Sequence, residues 1–250
     1  MKYLLLIFIT ILFNGCGIYK VFITPKDLKP LQNNSNIFYE QNSKQKALYI
    51  STLLDEQIKL IEKKQYLPFK KSPKIYVFTK QSSFEKYALN KKAGAETQGD
   101  KKILISPKKQ NTIKRLKGLI THELSHFHIY SYTGLYRGYF LPKWFIEGLA
   151  VFVSGGVGAE NVSKQKAIKA IKQNHIITLN NSINNKNIKP HMFYRQSEMF
   201  VKYLYNIDKE KFKKFIILIL EKNDFNSSFK KIYNKEQKYF FQNFIKNIKG

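Results

Sequence analysis

The stretch Leu119-Ile120-Thr121-His122-Glu123-Leu124-Ser125-His126-Phe127 constrains this chain more than any other. Three titratable side chains sit inside an apolar run, and a buried polar group needs a partner. On a helix, residues four apart share a face. His122 and His126 can therefore turn two imidazole nitrogens toward one metal ion, and Glu123 lies beside that face, where a carboxylate can take a proton from water. Leu116, Leu119, Ile120, Leu124 and Phe127 make the helix apolar enough to be buried, which keeps ligand rotamers still. The plainer reading is a core helix whose histidines are satisfied by hydrogen bonds. With five His in 250 residues, this spacing seldom arises by chance.

A catalytic zinc site takes three protein ligands and leaves one position open. Downstream runs Leu141-Pro142-Lys143-Trp144-Phe145-Ile146-Glu147-Gly148-Leu149-Ala150-Val151-Phe152. Pro142 suits the first turn of a helix. Glu147 is a lone acid in an otherwise apolar segment, and a cation one helix away would be its partner.

His122-Glu123-x-x-His126, followed some twenty residues later by Trp144-x-x-Glu147-Gly148-x-Ala150-x-Phe152, resembles the gluzincin metallopeptidases. These include thermolysin and the aminopeptidase N group, and the nearest likeness is to their small peptidase-MA-like domains. The resemblance spans about residues 75–205. It implies that His122, His126 and Glu147 ligate Zn2+ and that Glu123 is the general base. The metzincin pattern would require Gly and a third His where Ile129 and Tyr132 stand. No counterpart of the Gly-x-Met-Glu-Asn segment that holds a free N-terminus in aminopeptidases is found, so the resemblance implies an endopeptidase-like enzyme. Nor does an acid stand at Val151 or Ser154 to orient a ligating His.

The chain begins Met1-Lys2, then an apolar run from Tyr3 to Phe13, then Asn14-Gly15-Cys16. The run is too short to span a bilayer as a helix and reads as the apolar core of a signal peptide that covers residues 1–15. Leu12-Phe13-Asn14-Gly15-Cys16 resembles a bacterial lipobox. That resemblance implies cleavage before Cys16 and lipidation of its sulfur, and a cell-envelope location, in the outer membrane of a double-membraned bacterium. A plain signal peptide followed by a chance cysteine is the other reading. Cys16 is the single cysteine, which excludes an internal disulfide and any thiolate chemistry in the folded part. The net charge of +27 is compatible with anionic lipid, nucleic acid or acidic cell-wall polymer as a partner. Its lysines are scattered over the whole chain, however, and read better as a compositional bias spread over a solvated surface; no nucleic-acid motif accompanies them, so a nucleic-acid partner is not expected.

Residues 16–45 are polar, with Pro25, Pro30 and Asn33-Asn34-Ser35-Asn36, and read as a tether. Residues 46–250 read as the metallopeptidase-like domain, sheet-containing over 46–110 and helical over 111–250. The expected elements are a helix over 46–64, strands at Lys74–Thr79 and Lys102–Ser106, and a short helix opened by a Ser82-x-x-Glu85 capping box. Ala93–Asp100 and Tyr132–Phe140 read as loops, and Asn180–Asn187 as a polar low-complexity loop. The metal-binding helix is expected over Asn111–Tyr130. Further helices are expected over about 162–174, 192–206, 208–222 and 234–248. The gluzincin likeness implies that Lys102–Ser106 is a sheet edge beside the cleft; an ordinary inner strand is the alternative. It also implies that Tyr194 hydrogen-bonds the reaction's oxyanion, with His191 as the second candidate; His128 and His175 read as structural.

The expectation is thus an α+β, zincin-like fold: a small N-terminal sheet with helices, then a mainly helical lobe, with the cleft between them. The expected function is a lipid-anchored zinc metallopeptidase acting on a peptide or protein. A zinc-binding lipoprotein without turnover and a cell-wall amide hydrolase remain as alternatives.

Overall fold

The computed structural model describes residues 19–108, 112–179, 188–221 and 224–250. The expected signal peptide, Cys16, Asn111 and the Asn180–Asn187 loop lie outside these residues. A five-stranded mixed sheet forms the N-terminal part, from β1 (Lys29–Leu31), β2 (Asn34–Tyr39), β3 (Ile75–Val77), β4 (Ala95–Gln98) and β5 (Lys102–Ile105). Its spatial order is β1-β2-β3-β5-β4; the two outer pairs are antiparallel and the inner pairs parallel. Inner strands covered on both faces carry unbroken apolar runs, and Ile75-Tyr76-Val77 and Ile103-Leu104-Ile105 are fully buried. Ile75, Val77, Ile103 and Ile105 face the main core with Ile50, Leu54 and Ile61 of α2 (Lys44–Gln65). Tyr76 and Leu104 face a smaller cluster with Phe78 and Phe84.

Four sequence expectations change here. β1 and β2 come from the segment read as tether; Pro30 is accommodated because β1 is an edge strand with an irregular register at Pro30/Leu31. Lys102–Ile105 is an inner strand, and the edge beside the helices is β4, inside the segment read as the Ala93–Asp100 loop. The helix after β3, α3 (Gln81–Tyr87), is not opened by Ser82. Instead the Glu40 carboxylate, at the end of β2, accepts from Thr79 N (2.6 Å), Lys80 N (2.9 Å) and Ser83 Oγ (2.6 Å). An anion at a helix N-terminus meets unpaired N–H groups and the positive end of the helix dipole.

A short helix, α1 (Tyr19–Phe22), precedes the sheet. The buried Lys102 ammonium donates to the carbonyls of Lys20 (2.8 Å), Val21 (2.9 Å) and Ile23 (2.5 Å). In turn Lys20 Nζ donates to Glu85 O and Ala88 O at the end of α3.

The rest of the chain is mainly helical: α4 (Ile113–Phe140), α5 (Lys143–Val153), α6 (Lys164–Lys172), α7 (Pro190–Ile207), α8 (Lys209–Glu221), α9 (Phe225–Tyr233) and α10 (Gln237–Lys249). The Thr112 side chain caps α4 by accepting from Arg115 N at 3.1 Å. Tyr132–Phe140 is not a loop but continues α4, interrupted only at Gly134 (φ 66°, ψ 178°). Trp144 is fully buried among Phe145, Phe200 and Phe225. The architecture is mixed α+β, with a small N-terminal mixed sheet and a mostly helical C-terminal part. None of the described helices is long and apolar enough to cross a membrane.

Candidate metal centre

One face of α4 sinks Ile120, Leu124 and Phe127 into the main core. The same helix then presents His122 and His126, one turn apart, to α5. There Glu147 projects between buried neighbours, Ile146 and Gly148. Gly148 lets α7 approach closely: a Cβ on it would stand 2.6 Å from Ser197 O. The three side chains converge. His122 Nε2 and His126 Nε2 are 3.1 Å apart, and each lies 3.5 Å from Glu147 Oε2.

These spacings suit one shared cation. Tetrahedral ligands on bonds of 2.0–2.1 Å stand roughly 3.4 Å from one another. His122 Nδ1 lies 3.1 Å from Val157 O. A carbonyl only accepts, so Nδ1 carries the proton and the Nε2 lone pair points into the site. His126 Nδ1 is buried without a hydrogen-bond partner among the described residues, so packing and the contacts of Nε2 orient that ring. Burial works against the Glu147 carboxylate, but the His126 and His122 imidazoles hold it well below the usual carboxylate range. Burial likewise drives the His122 imidazole down, yet bonding to Glu147, the charge of Glu123 and the Val157 carbonyl outweigh it, and its pKa rises. The buried His-His-Glu group can hold a metal ion.

Glu123 is buried beside the triad without belonging to it. Thr97 Oγ1, on β4, lies 2.7 Å from its Oε2 and 2.9 Å from its backbone carbonyl. The edge strand thus holds this carboxylate in place. All four residues line a cleft of about 470 Å³, together with Ala95 and Glu96 of β4, Tyr130, Lys143, Tyr194 and His191. The Tyr194 phenol is pushed up by the Glu147 charge, by burial and by the Glu123 charge, so it keeps its proton. His191 is engaged at both ring nitrogens, Nδ1 with Gly158 O (2.7 Å) and Nε2 with Asn161 Nδ2 (3.2 Å). A neutral ring with those partners has no N–H left to offer the cleft. His128 is fully buried with Nε2 2.9 Å from Leu67 O, while His175 is exposed.

The sequence reading missed two supports. Thr97 gave no signal because β4 itself was not recognised. The partner of His122 is a backbone carbonyl, which no side-chain search could find. Gly158 has φ 99°, and a Cβ there would stand 3.1 Å from His122 Cε1. Arg195 fastens the same loop by donating to Val162 O (2.8 Å) and Ala159 O (3.2 Å), and it pairs with Glu198 (3.2 Å). Of the residues expected in the site, His122, His126, Glu147, Glu123 and Tyr194 share one cleft; Cys16 lies outside the described residues.

Neither any family model nor any curated protein matches this chain.

Proposed function

We propose that the protein is a zinc-dependent, endopeptidase-like metallopeptidase of gluzincin type, anchored in the cell envelope through Cys16. The observation that carries this reading is Glu123: a buried carboxylate facing the same cleft as the ligand triad, braced by Thr97 and left over from the ligand set. Metal binding alone gives no reason for it. His122, His126 and Glu147 would hold the ion, which when bound supplies a Lewis acid that acidifies water and polarises a carbonyl. Glu123 takes a proton from the attacking water and later delivers it to the leaving amine as the C–N bond breaks. Tyr194, protonated and in the cleft, donates to the oxyanion. β4 is the last strand of the sheet on the cleft side, and an extended peptide can add to it by main-chain hydrogen bonds.

The test is metal analysis with peptide-library cleavage by wild type and Glu123→Gln at equal metal occupancy. Loss of the general base is expected to cost about 10²–10⁴-fold in rate with the metal retained. Equal rates, or no cleavage by metal-loaded wild type, would replace the enzyme with a metal-binding lipoprotein. Cleavage of cell-wall amides but not of peptides would move the substrate class. Mass spectrometry of the mature N-terminus tests the anchor; an unmodified N-terminus elsewhere would refute it.

A further inference from the structure

Two groups of exposed apolar side chains flank the β4–β5 turn. Tyr136, Tyr139 and Phe140, at the end of α4, are 78%, 69% and 55% exposed, with ring centroids of neighbouring pairs 5.1 and 5.6 Å apart. Leu135 fixes this group to the turn, because it packs directly on Gly99. Around α1, Tyr19, Phe22 and Ile23 are 50%, 63% and 39% exposed. Phe22 lines a depression with Asp100, Lys101, Lys71 and Lys74. The depression is lined by Lys71, Lys74, Lys101 and Lys102 against one acid, Asp100, which pairs with Lys71 and Lys101, and Lys143 stands over the Tyr139 ring.

We propose that this face lies on an anionic phospholipid surface, with the aromatic rings at headgroup depth and the lysines against lipid phosphates. Its composition decides between a bilayer and a protein partner. Aromatic rings mixed with lysine are the signature of a membrane interface, whereas lysine is depleted from protein–protein contacts. The position of the N-terminus agrees. The proposal rests on the Cys16 anchor for its geometry, though not for its chemistry. Cys16 stands three residues before Tyr19, so the two Cα atoms are at most roughly 11 Å apart. From Tyr19 onward α1 is clamped by Lys102 to three carbonyls. A lipid on Cys16 would therefore bring this face close to the bilayer. The cleft adjoins the face, since Lys143 lines it and its Nζ stands 5.7 Å from the Tyr139 ring. Substrate would then be taken from the layer next to the membrane.

The experiment uses the full chain with Cys16→Ser, so that an environment-sensitive fluorophore can be placed on Tyr139→Cys or, as control, on Ile113→Cys. Ile113 is 68% exposed at the far end of α4, about 30 Å from Gly134. On vesicles rich in phosphatidylglycerol, the probe at 139 is expected to shift to the blue and to be quenched by doxyl-labelled lipid. The probe at 113 stays aqueous, and Lys74→Glu with Lys101→Glu diminishes the response at 139. Co-flotation is read separately and reports the N-terminal segment. A chain that floats with the vesicles while both probes stay aqueous overturns the proposed face without touching the anchor. A chain that neither floats nor shifts overturns it as well. An equal shift on pure phosphatidylcholine overturns the anionic assignment.

Discussion

At the residue scale, the three groups that can hold a metal ion stand apart from Glu123, to which the proposed function gives the proton transfer, and substitutions should separate them. His122→Ala, His126→Ala or Glu147→Ala should each abolish stoichiometric metal, measured by elemental analysis of the purified protein, because two remaining donors make a poor tetrahedral site. Thr97→Val keeps the shape and removes the hydroxyl 2.7 Å from Glu123 Oε2. Metal content should stay unchanged while the turnover number falls about 10- to 10²-fold, since a base about 1 Å out of place loses that much. Tyr194→Phe should behave alike, with a loss of about 10²–10³-fold, because in the proposed reaction the hydroxyl acts only as the oxyanion forms. His122, His126, Glu123 and Glu147 were legible in the sequence because ligand chemistry demands particular side chains at helical spacing. Thr97 and Val157 were not: one acts through a strand of no clear pattern, the other through its backbone.

At the element scale, the strands show why part of the sheet was hidden. β4 reads Ala95-Glu96-Thr97-Gln98, with no apolar alternation to mark it. Its outer side opens on the cleft, and its pairing with β5 specifies it instead, from Ala95 opposite Ile105 to Gln98 opposite Lys102. β3 and β5 were legible because burial on both faces demands continuous apolar residues. The start of α3 was hidden for another reason, since its cap is Glu40, some forty residues away in sequence. Burial opposes the Glu40 carboxylate, but bonds from Ser83, Thr79 and Lys80 outweigh it and lower its pKa below the ordinary 4.5. The unfolded chain then binds the proton more readily, so this stabilisation is complete above about pH 4.5 and is lost as the pH falls. Glu40→Gln should cost about 1 kcal/mol at neutral pH. Denaturant titration should show that difference shrinking in acid; a difference independent of pH would exclude the carboxylate as its source.

At the scale of the whole molecule, one aromatic core joins the helices that carry the site. Trp144, three residues before Glu147, packs against Phe200 of α7 with ring centroids 4.7 Å apart, and α7 also carries Tyr194. Phe200→Ala should therefore destabilise the fold by about 3–5 kcal/mol. Trp144 is the single tryptophan and is fully buried, so the red shift of its emission during denaturant unfolding measures that loss directly. The coarse division into sheet and helices was legible because apolar periodicity follows burial. The placement of residues 19–45 was not. Their sequence is polar and proline-bearing, and what binds them to the domain lies far along the chain: β3 pairs with β2, and Lys102 holds the carbonyls of Lys20, Val21 and Ile23.

The Val157 carbonyl that fixes the His122 tautomer has a practical consequence for mutagenesis. An alanine scan replaces side chains and leaves every carbonyl in place, so at position 157 it would read only the packing of the valine on Gly118. What the imidazole depends on is the length and path of the chain between Ser154 and Ala159. Insertion or deletion of a single residue there would carry the carbonyl away from Nδ1, although every ligand remained. Gly158→Ala comes nearest to a point substitution with that effect, and metal affinity should fall about 10–100-fold, as when the outer partner of a ligating histidine is lost. Over the course of sequence drift, Val157 is free to change its side chain within the space it fills. The number of residues in that loop is not free to change.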